Sequence, residues 1–361
     1  MSVKAKTWRI LVINPGSTST KVGVFANDQP VCVETIAHAH TEIARFPRIP
    51  DQYAFRRDAV LSFLQQQGIA LSSLDAVVGR GGLLRPLESG TYAVNERMLE
   101  ELRHPVKERD HVTNLGALIA DEIARPTGIP ASIVDPVCVD EFEPLARISG
   151  LPQIERRSLS HVLSLKSAAR RAAQELQRPY GDLKLVVAHL GGGISVSAHL
   201  NGRIIDVNQA LDGTGPFSPE RVGGLPTGDV LRLAFSGKYT YESLFRLFTR
   251  QGGLLAHLGT NDGREVERRI SQGDEHARLI YEAMAYQIAK EIGLMATVLR
   301  SRPDAIVLAG GLARSAMLMG WVRSRVEWMA PVLIYPGEDE MLAMAQGVLR
   351  VLRGEEQAKE Y

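Results

Sequence analysis

Short apolar runs on either side of a polar turn predict a β-hairpin near the start of the chain. Ile10 to Ile13 and Val22 to Phe25 are rich in β-branched residues, and the turn between them carries four consecutive hydroxyl side chains. A third apolar run, Val31 to Ala37, predicts the next strand. The same order of strands and turns recurs in the runs Leu183 to His189, Ile194 to Leu200 and Ile204 to Asn208. The sequence therefore predicts an internal duplication.

Apolar residues spaced three or four positions apart predict helices in the rest of the chain. Asp51 begins the first of these patterns and Gly68 ends it. The other predicted helices cover Asn95 to Arg103, Asp110 to Arg125, Ser160 to Gln177, Thr240 to Gln251, Asp274 to Leu299, Leu312 to Met329 and Glu340 to Leu352. The runs Leu74 to Val78, Ile133 to Val134 and Asp304 to Gly311 read as buried strands. Strands and helices that alternate in this way are typical of an α/β protein.

The length of 361 residues is enough for about two domains, each with its own core. The repeat places their boundary near residue 155, so we expect domains over 1–155 and 156–340, with a last helix at about 341–361 that packs back on the first domain.

Composition and charge narrow the classes of partner and compartment. The formal net charge is +1 and neither sign dominates a long segment, which disfavours nucleic acid and membrane surfaces as partners. Cys32 and Cys138 are the two cysteines, without a C-x-x-C motif, so we expect no structural disulfide or zinc site. No apolar run approaches the roughly 20 residues of a membrane span. We expect a cytoplasmic protein.

The turn of the first hairpin, Asn14 to Lys21, has the chemistry of a phosphate-binding loop. Its glycine lets backbone N–H groups approach an anion, its hydroxyls donate hydrogen bonds, and its lysine adds positive charge. An ordinary polar turn is the alternative. A Walker A loop is excluded, because Thr20 stands where the second glycine belongs and a strand, not a helix, follows.

Three more glycine-rich turns follow predicted strands, at Gly79 to Gly82, Leu190 to Gly193 and Gly310 to Gly311. Ligands of α/β folds gather at strand ends. Any one glycine pair can reflect turn geometry alone. Two glycine-bearing hairpins in a repeated context, followed by a strand, a glycine pair and a helix, predict two phosphate-binding loops and a place for adenosine.

Long motifs resemble the acetate and butyrate kinase family, and within it the butyrate kinases. They run in order from about residue 9 to about residue 352, and comprise VINPGSTSTK, DHVTNLGALIADEIA, HLGGGISVSAHLNGRIIDVNQALDGTGPFSPER, HLGTNDGREVERRI and IVLAGGLARS. The resemblance implies two duplicated actin-like (ribonuclease H-like) α/β domains with mixed sheets flanking a nucleotide cleft. It also implies a homo-oligomer, a dimer or larger.

The activity that the resemblance implies is direct, in-line transfer of the γ-phosphoryl group of ATP to butanoate, which gives the acyl phosphate and ADP, with Mg²⁺ as cofactor. A carboxylate with a pKa near 4 is already deprotonated at neutral pH, so no catalytic base is required. The site must instead compensate the charge of two anions and align them.

The family roles carry over onto matching positions of this sequence. Arg80 would clamp the substrate carboxylate or the migrating phosphoryl, Asp135 would lie near the metal, and His161 would donate to the phosphoryl. A salt-bridged strand-end arginine, an Asp-Pro turn and a helix cap are the respective structural alternatives. The residues implied for nucleotide binding are Asn14, Gly16, Ser17, Ser19 and Lys21 in the first loop, His189, Gly191, Gly192 and Gly193 in the second, and Gly310 and Gly311 for adenosine; those implied for the metal are Asn14, Glu338 and Glu340.

The sequence departs from acetate kinases at one point. Their G-T-R-S-G-D segment corresponds here to Gly224 to Asp229, with Pro226 in the arginine position. Arg221 is the candidate replacement, because one arginine is little charge for a transferring phosphoryl. The departure argues against acetate as the preferred substrate, although the sequence leaves isobutyrate, propionate and acetate open. A regulatory actin-like ATP-binding protein is the more distant alternative.

Overall fold

The computed structural model describes residues 6–106, 110–211, 213–337 and 339–361. The chain divides into two compact units between Val139 and Asp140, and Asp339–Tyr361 belongs with the first unit. Residues 140–155, expected in the first domain, thus lie in the second unit.

The first unit is built on a mixed sheet in the order β3-β2-β1-β4-β6-β5. Strands β1, β2 and β3 form an antiparallel meander, β4 and β6 run parallel to β1, and β5 pairs antiparallel with β6. The elements up to Val139 are β1 (Arg9–Pro15), β2 (Ser19–Ala26), β3 (Gln29–Ala37), α1 (His40–Ile43), α2 (Tyr53–Gln66), β4 (Ala76–Arg80), β5 (Thr91–Ala93), α3 (Glu96–Arg103), α4 (Asn114–Ala124) and β6 (Ala131–Val134).

The second unit repeats this topology in a five-stranded sheet of order β11-β10-β7-β8-β9. Strands β7, β8 and β9 form the antiparallel meander, and β10 and β11 run parallel to β7. Its elements are α5 (Pro144–Arg147), α6 (Val162–Glu175), β7 (Lys184–Leu190), β8 (Ile194–Leu200), β9 (Arg203–Val207), α7 (Thr227–Ala234), α8 (Tyr241–Arg250), α9 (Gly253–Leu258), α10 (Gly263–Ser271), α11 (Glu275–Val298), β10 (Ala305–Gly310), α12 (Ala316–Val326) and β11 (Val332–Pro336). The predicted duplication is confirmed.

The chain then returns to the first unit as α13 (Glu340–Leu352), which packs against β1, β4 and β6. On another side of the same strands, α4 approaches β4 through two glycines. A Cβ on Gly79 would lie 2.0 Å from the Gly116 carbonyl oxygen, and a Cβ on Gly116 would lie 2.3 Å from the Arg80 carbonyl oxygen. Only glycine permits this backbone contact, which fixes the end of β4 where Arg80 emerges.

The helix predicted from Asp110 begins at Asn114 instead. His111, Val112 and Thr113 form a turn, and the Oδ1 of the buried Asn114 accepts a hydrogen bond from the Leu83 amide, 2.9 Å away. This contact across the unit holds the helix start at Asn114, and local sequence does not encode it.

Cys32 and Cys138 form no disulfide in the part of the chain that the structure describes. Among the described residues, no helix is both long enough and apolar enough to cross a membrane.

Candidate active site

The first loop is a tight turn between β1 and β2. The two strands pair as far as Pro15 and Thr20, and the Gly16 amide donates to the Ser19 carbonyl oxygen over 2.8 Å. Asn14 lies opposite Lys21 in the ladder. The residues expected to bind phosphate here, Asn14, Gly16, Ser17, Ser19 and Lys21, therefore share one hairpin end.

Arg56, a residue not predicted from the sequence, supports this loop from beneath. Its guanidinium donates to the carbonyl oxygens of Ser17 (3.1 Å) and Ser19 (2.9 Å) and to the Thr20 hydroxyl (3.1 Å). The side chain is fully buried on α2, and burial lowers its pKa to about 10, so it stays charged at neutral pH. Because it has no carboxylate partner among the described residues, its charge is available to attract an anion at the loop.

A polar cluster lies at the carboxyl ends of β1 and β4. The amide Nδ2 of Asn14 donates to Glu340 Oε2 over 2.9 Å, and the Arg80 guanidinium forms an ion pair with the same oxygen. Glu340 is in the first turn of α13, where the helix dipole favours a carboxylate. Arg80 is nine-tenths buried, so the structure brings together three of the residues that the sequence analysis selected.

Asp135 follows β6 and has a strained backbone. Its φ of 41° lies in the left-handed region, and its side chain is almost fully buried. The Ser89 hydroxyl and the Gly90 amide donate to Oδ1 over 2.6 and 2.8 Å. Strain of this kind persists where surrounding contacts enforce it, and it is concentrated at functional sites.

The segment at 359–361 holds the loop that carries Ser89 and Gly90. The Lys359 amide donates to the Thr91 carbonyl oxygen over 2.8 Å, in β5. The Tyr361 hydroxyl accepts from the Arg85 amide (3.2 Å) and donates to Glu101 (2.8 Å). The loop that carries Ser89 and Gly90 is thus held at Arg85 on one side and at Thr91 on the other.

In the second unit, His161 lies at the start of α6 beside the β7–β8 hairpin. Its ring stacks on that of His189, with centroids 4.3 Å apart. Its Nδ1 is 2.9 Å from the Ser195 hydroxyl at the start of β8. The structure therefore brings His161 and His189 together at the β7–β8 hairpin.

Arg221 reaches the second loop because Gly193 leaves room for it. A Cβ on Gly193 would lie 2.2 Å from an Arg221 guanidinium nitrogen and 3.1 Å from His161 Cε1. The guanidinium donates to the Ala210 carbonyl oxygen, and the Ser218 hydroxyl links the Arg221 amide (3.1 Å) to the Gly192 carbonyl oxygen (2.6 Å). Arg221 and His161 thus meet at the second loop, whereas Pro226 is exposed at the start of α7.

A cleft of about 420 Å³ opens beside the second loop. Gly191 and Gly192 line it on one side and Gly311 on another; Gly310 supports the turn with a φ of 105°, where a Cβ would lie 2.4 Å from the Leu190 carbonyl oxygen. The other lining residues have no role predicted from the sequence; they are Pro219, Glu220, Asn261, Asp262, Gly263, Arg264, Glu267, Tyr281, Leu312, Arg314 and Ser315.

The available signal for this cleft was the motif HLGTNDGREVERRI, which contributes Asn261 to Glu267. Glu267 accepts hydrogen bonds from the hydroxyls of Tyr281 (3.2 Å) and Ser315. Burial raises the pKa of Tyr281, so its hydroxyl remains a donor.

The metal ligands implied by the resemblance can be placed only in part. Glu338 lies outside the described residues. Within the described ranges, no group of three or more His, Cys, Asp or Glu side chains could hold a metal ion. Glu340 and Asn14 each carry side-chain oxygen, the kind of ligand that suits Mg²⁺, an ion usually held by one or two carboxylates together with substrate phosphates. The contact between the two residues is made by the Asn14 amide nitrogen, which donates to Glu340 Oε2.

Comparison with known proteins finds a family match over part of the chain and similar folds over most of it. Residues 153–329 match the Acetokinase family. An acetate kinase from Porphyromonas gingivalis is similar over 96% of this chain and 100% of its own, with a TM-score of 0.77 and 20% identity. A propionate kinase from Francisella tularensis is similar over 94% of this chain and 98% of its own, with a TM-score of 0.74 and 19% identity. A ROK family protein from Streptococcus pneumoniae is similar over 96% of this chain and 100% of its own, with a TM-score of 0.52 and 14% identity.

These likenesses confirm the predicted fold class, because the two mixed sheets match the actin-like fold of acetate kinases and ROK proteins.

Proposed function

We propose that this protein is an acyl kinase of the acetate and butyrate kinase family, which transfers the γ-phosphoryl group of ATP to a short-chain carboxylate. One observation carries the proposal. Arg80, nine-tenths buried, meets Glu340 and Asn14 at the strand edge beside the first loop. The family match over 153–329 and the acetate and propionate kinases among the similar structures support it.

The chemistry asks for positive charge and hydrogen-bond donors, not for a base. A carboxylate is a competent nucleophile at neutral pH, and the obstacle is its repulsion from the triphosphate. Arg80 would bind the carboxylate or the migrating phosphoryl through its planar guanidinium. In the same proposal Arg56 would attract the nucleotide phosphates to the first loop, and Asp135 would lie near the metal.

The second unit would contribute the nucleotide site. Gly192 and Gly193 would present backbone N–H groups to phosphate oxygens, while the Gly191 amide closes the turn by donating to the Gly193 carbonyl oxygen over 3.1 Å. The 420 Å³ cleft would take adenosine. His161 and Arg221 would donate to the phosphoryl as charge builds on it. Asn14 and Glu340 would hold Mg²⁺, which would supply further neutralisation of phosphate charge when bound.

Butanoate is the substrate we propose within this class. The support is the resemblance of five long motifs to butyrate kinases and the proline at Pro226 where acetate kinases have arginine. Isobutyrate, propionate and acetate are the competing acids, and one methylene is worth only about 1–3 kcal/mol of discrimination. We also propose that the protein is a homo-oligomer, which light scattering of the purified protein would test.

A hydroxylamine trap tests the reaction and the acid together. The protein is incubated with Mg-ATP, hydroxylamine and each straight or branched acid of two to six carbons, and hydroxamate is measured. We expect hydroxamate with a maximum at four carbons, and a loss with Arg80→Ala but not with Arg125→Ala, an exposed arginine paired with Asp121. If no acid gives hydroxamate, the proposal fails; a maximum at another chain length rejects only the choice of butanoate.

A further inference from the structure

His161 is held on two sides by the β7–β8 hairpin. His189 and Ser195 are cross-strand partners in this hairpin. The His189 ring stacks on the His161 ring at 4.3 Å, and the Ser195 hydroxyl lies 2.9 Å from His161 Nδ1. The strand pair therefore fixes both the plane of the imidazole and the environment of one of its nitrogens.

The Ser195 hydroxyl has two partners, and both belong to His161. Besides Nδ1, the oxygen lies 3.3 Å from the backbone nitrogen of His161. Ser195 is fully buried, and among the described residues its hydroxyl has no other hydrogen-bond partner. The protons of this small network can therefore be counted.

A backbone N–H can only donate, so the serine oxygen accepts from it. If Nδ1 also carried a proton, the oxygen would accept twice, and its own hydrogen would be buried without an acceptor. A buried donor left in that state loses its hydration without compensation. If the hydroxyl instead donates to Nδ1, every polar atom of the network is satisfied.

We propose that Ser195 is a positioning residue that keeps His161 neutral, with Nδ1 as acceptor and the proton on Nε2. His161 would then present an Nε2–H donor of fixed direction. A protonated imidazole would again leave the serine hydrogen without an acceptor, so the same contact disfavours the imidazolium. That this donor serves a phosphoryl oxygen rests on the proposed function; the tautomer itself does not.

The tautomer is read directly by long-range ¹H–¹⁵N NMR of the full-length protein with ¹⁵N-labelled histidine. The signal of His161 is assigned by its loss in His161→Gln. We expect a protonated, pyrrole-type Nε2 and an unprotonated, pyridine-type Nδ1 in the unmodified protein without substrate. A proton on Nδ1, or two protons on the ring at pH 7, would overturn the proposal.

Ser195→Ala, with Ser197→Ala as its control, tests the cause. Ser197 is the next residue on the same face of β8, equally buried, and its hydroxyl is 2.7 Å from His199 Nε2 and 3.0 Å from the Val187 carbonyl oxygen. We expect Ser195→Ala to give a mixture of His161 tautomers, whereas Ser197→Ala leaves the His161 spectrum unchanged. An unchanged spectrum in Ser195→Ala would refute the role of Ser195.

Kinetics separate this inference from the function on which it rests. Ser195→Ala should lower kcat about tenfold with little change in KM, less than the roughly 100-fold loss for removal of a transition-state donor. If the protein phosphorylates no carboxylate, the function fails but the tautomer result stands. If it does phosphorylate one and Ser195→Ala keeps full kcat, the positioning role is rejected.

Discussion

The two units share a sheet topology but prepare their first hairpins for an anion in different ways. In the first unit, the turn is rich in hydroxyls, and the buried Arg56 supplies charge from beneath it. In the second unit the turn is three glycines, and the charge comes from Arg221 on a later loop, which approaches where Gly193 has no side chain. If both hairpins bind phosphate as proposed, the shared topology sets the place of the anion, while the source of the positive charge differs between the units.

The buried histidines extend the comparison. In the first unit His38 Nε2 lies 2.8 Å from the Thr20 hydroxyl, next to Arg56. In the second unit His199 lies between the hydroxyls of Ser197 and Tyr180, at 2.7 Å from each. Burial lowers the pKa of both, and the pKa of His199 lies well below its usual value. Each unit therefore holds a neutral histidine whose ring is hydrogen-bonded to a hydroxyl on the second strand of its antiparallel meander.

Loss of Arg80 should have the largest effect. Arg80→Ala should lower kcat for acyl phosphate formation on the order of 100- to 1,000-fold, because a charged donor to the reacting groups is lost. The affinity for ADP, measured by calorimetry, should change little, because the nucleotide is proposed to bind through Arg56 and the second unit. An equal loss of nucleotide affinity would show that Arg80 binds the nucleotide.

A side chain at Gly193 tests whether the second loop depends on the close approach of Arg221. In Gly193→Ala the new Cβ must push the Arg221 side chain away from the loop, since the two would be 2.2 Å apart. We expect kcat to fall up to about 100-fold, the scale that follows from misplacing a reacting group by about 1 Å. Gly293→Ala, where a Cβ meets nothing within 4 Å, is the control. Equal activity of the two variants would show that the approach of Arg221 to Gly193 is not needed for the reaction.

Substitutions of Arg56 test whether the first loop depends on the buried charge beneath it. Arg56→Met removes the charge under the first loop, and Arg56→Lys keeps it without the fork of donors. The KM for ATP should rise about tenfold in the methionine variant, on the scale of one lost charge-assisted contact, and less in the lysine variant. If both variants behave alike, Arg56 acts through loop geometry and not through charge.

Acidification should affect the second unit more than the first. Below about pH 6.5 the unfolded chain protonates its histidines, while the folded protein keeps His199 neutral. The free energy of unfolding therefore decreases as the pH is lowered, by up to about 1.4 kcal/mol per pH unit for one group. Urea unfolding between pH 7.5 and 5 should show a flatter pH dependence in His199→Asn, and a smaller flattening in His38→Asn. Equal slopes in all three proteins would contradict the buried, neutral state of His199.

Sequence periodicity was sufficient for the meanders and for the long helices, because each encodes its own apolar face. α13 was predicted with the bounds that the structure gives, Glu340–Leu352. The short strands β5 and β11 were missed, because three and five residues carry too little pattern to be read.

The site was predictable where a loop carries its own chemistry and not where distant segments meet. Asn14 and Glu340 are 326 positions apart, and only the family resemblance placed both in the site. Arg56 lies on the apolar face of α2 with Val60, Phe63 and Leu64, where a buried arginine gives no local sign of what it contacts. That charged residue on an apolar face was the one signal that could have revealed it.

The most direct test of the account uses butanoate labelled with ¹⁸O in its carboxylate. The reaction with Mg-ATP is followed by ³¹P NMR. If the carboxylate attacks the γ-phosphoryl group directly, ADP and an acyl phosphate form together, and the acyl phosphate signal moves upfield because ¹⁸O bridges carbon and phosphorus. ADP with unlabelled inorganic phosphate and no acyl phosphate, or ATP that remains unchanged, would contradict the central claim that a carboxylate is the acceptor.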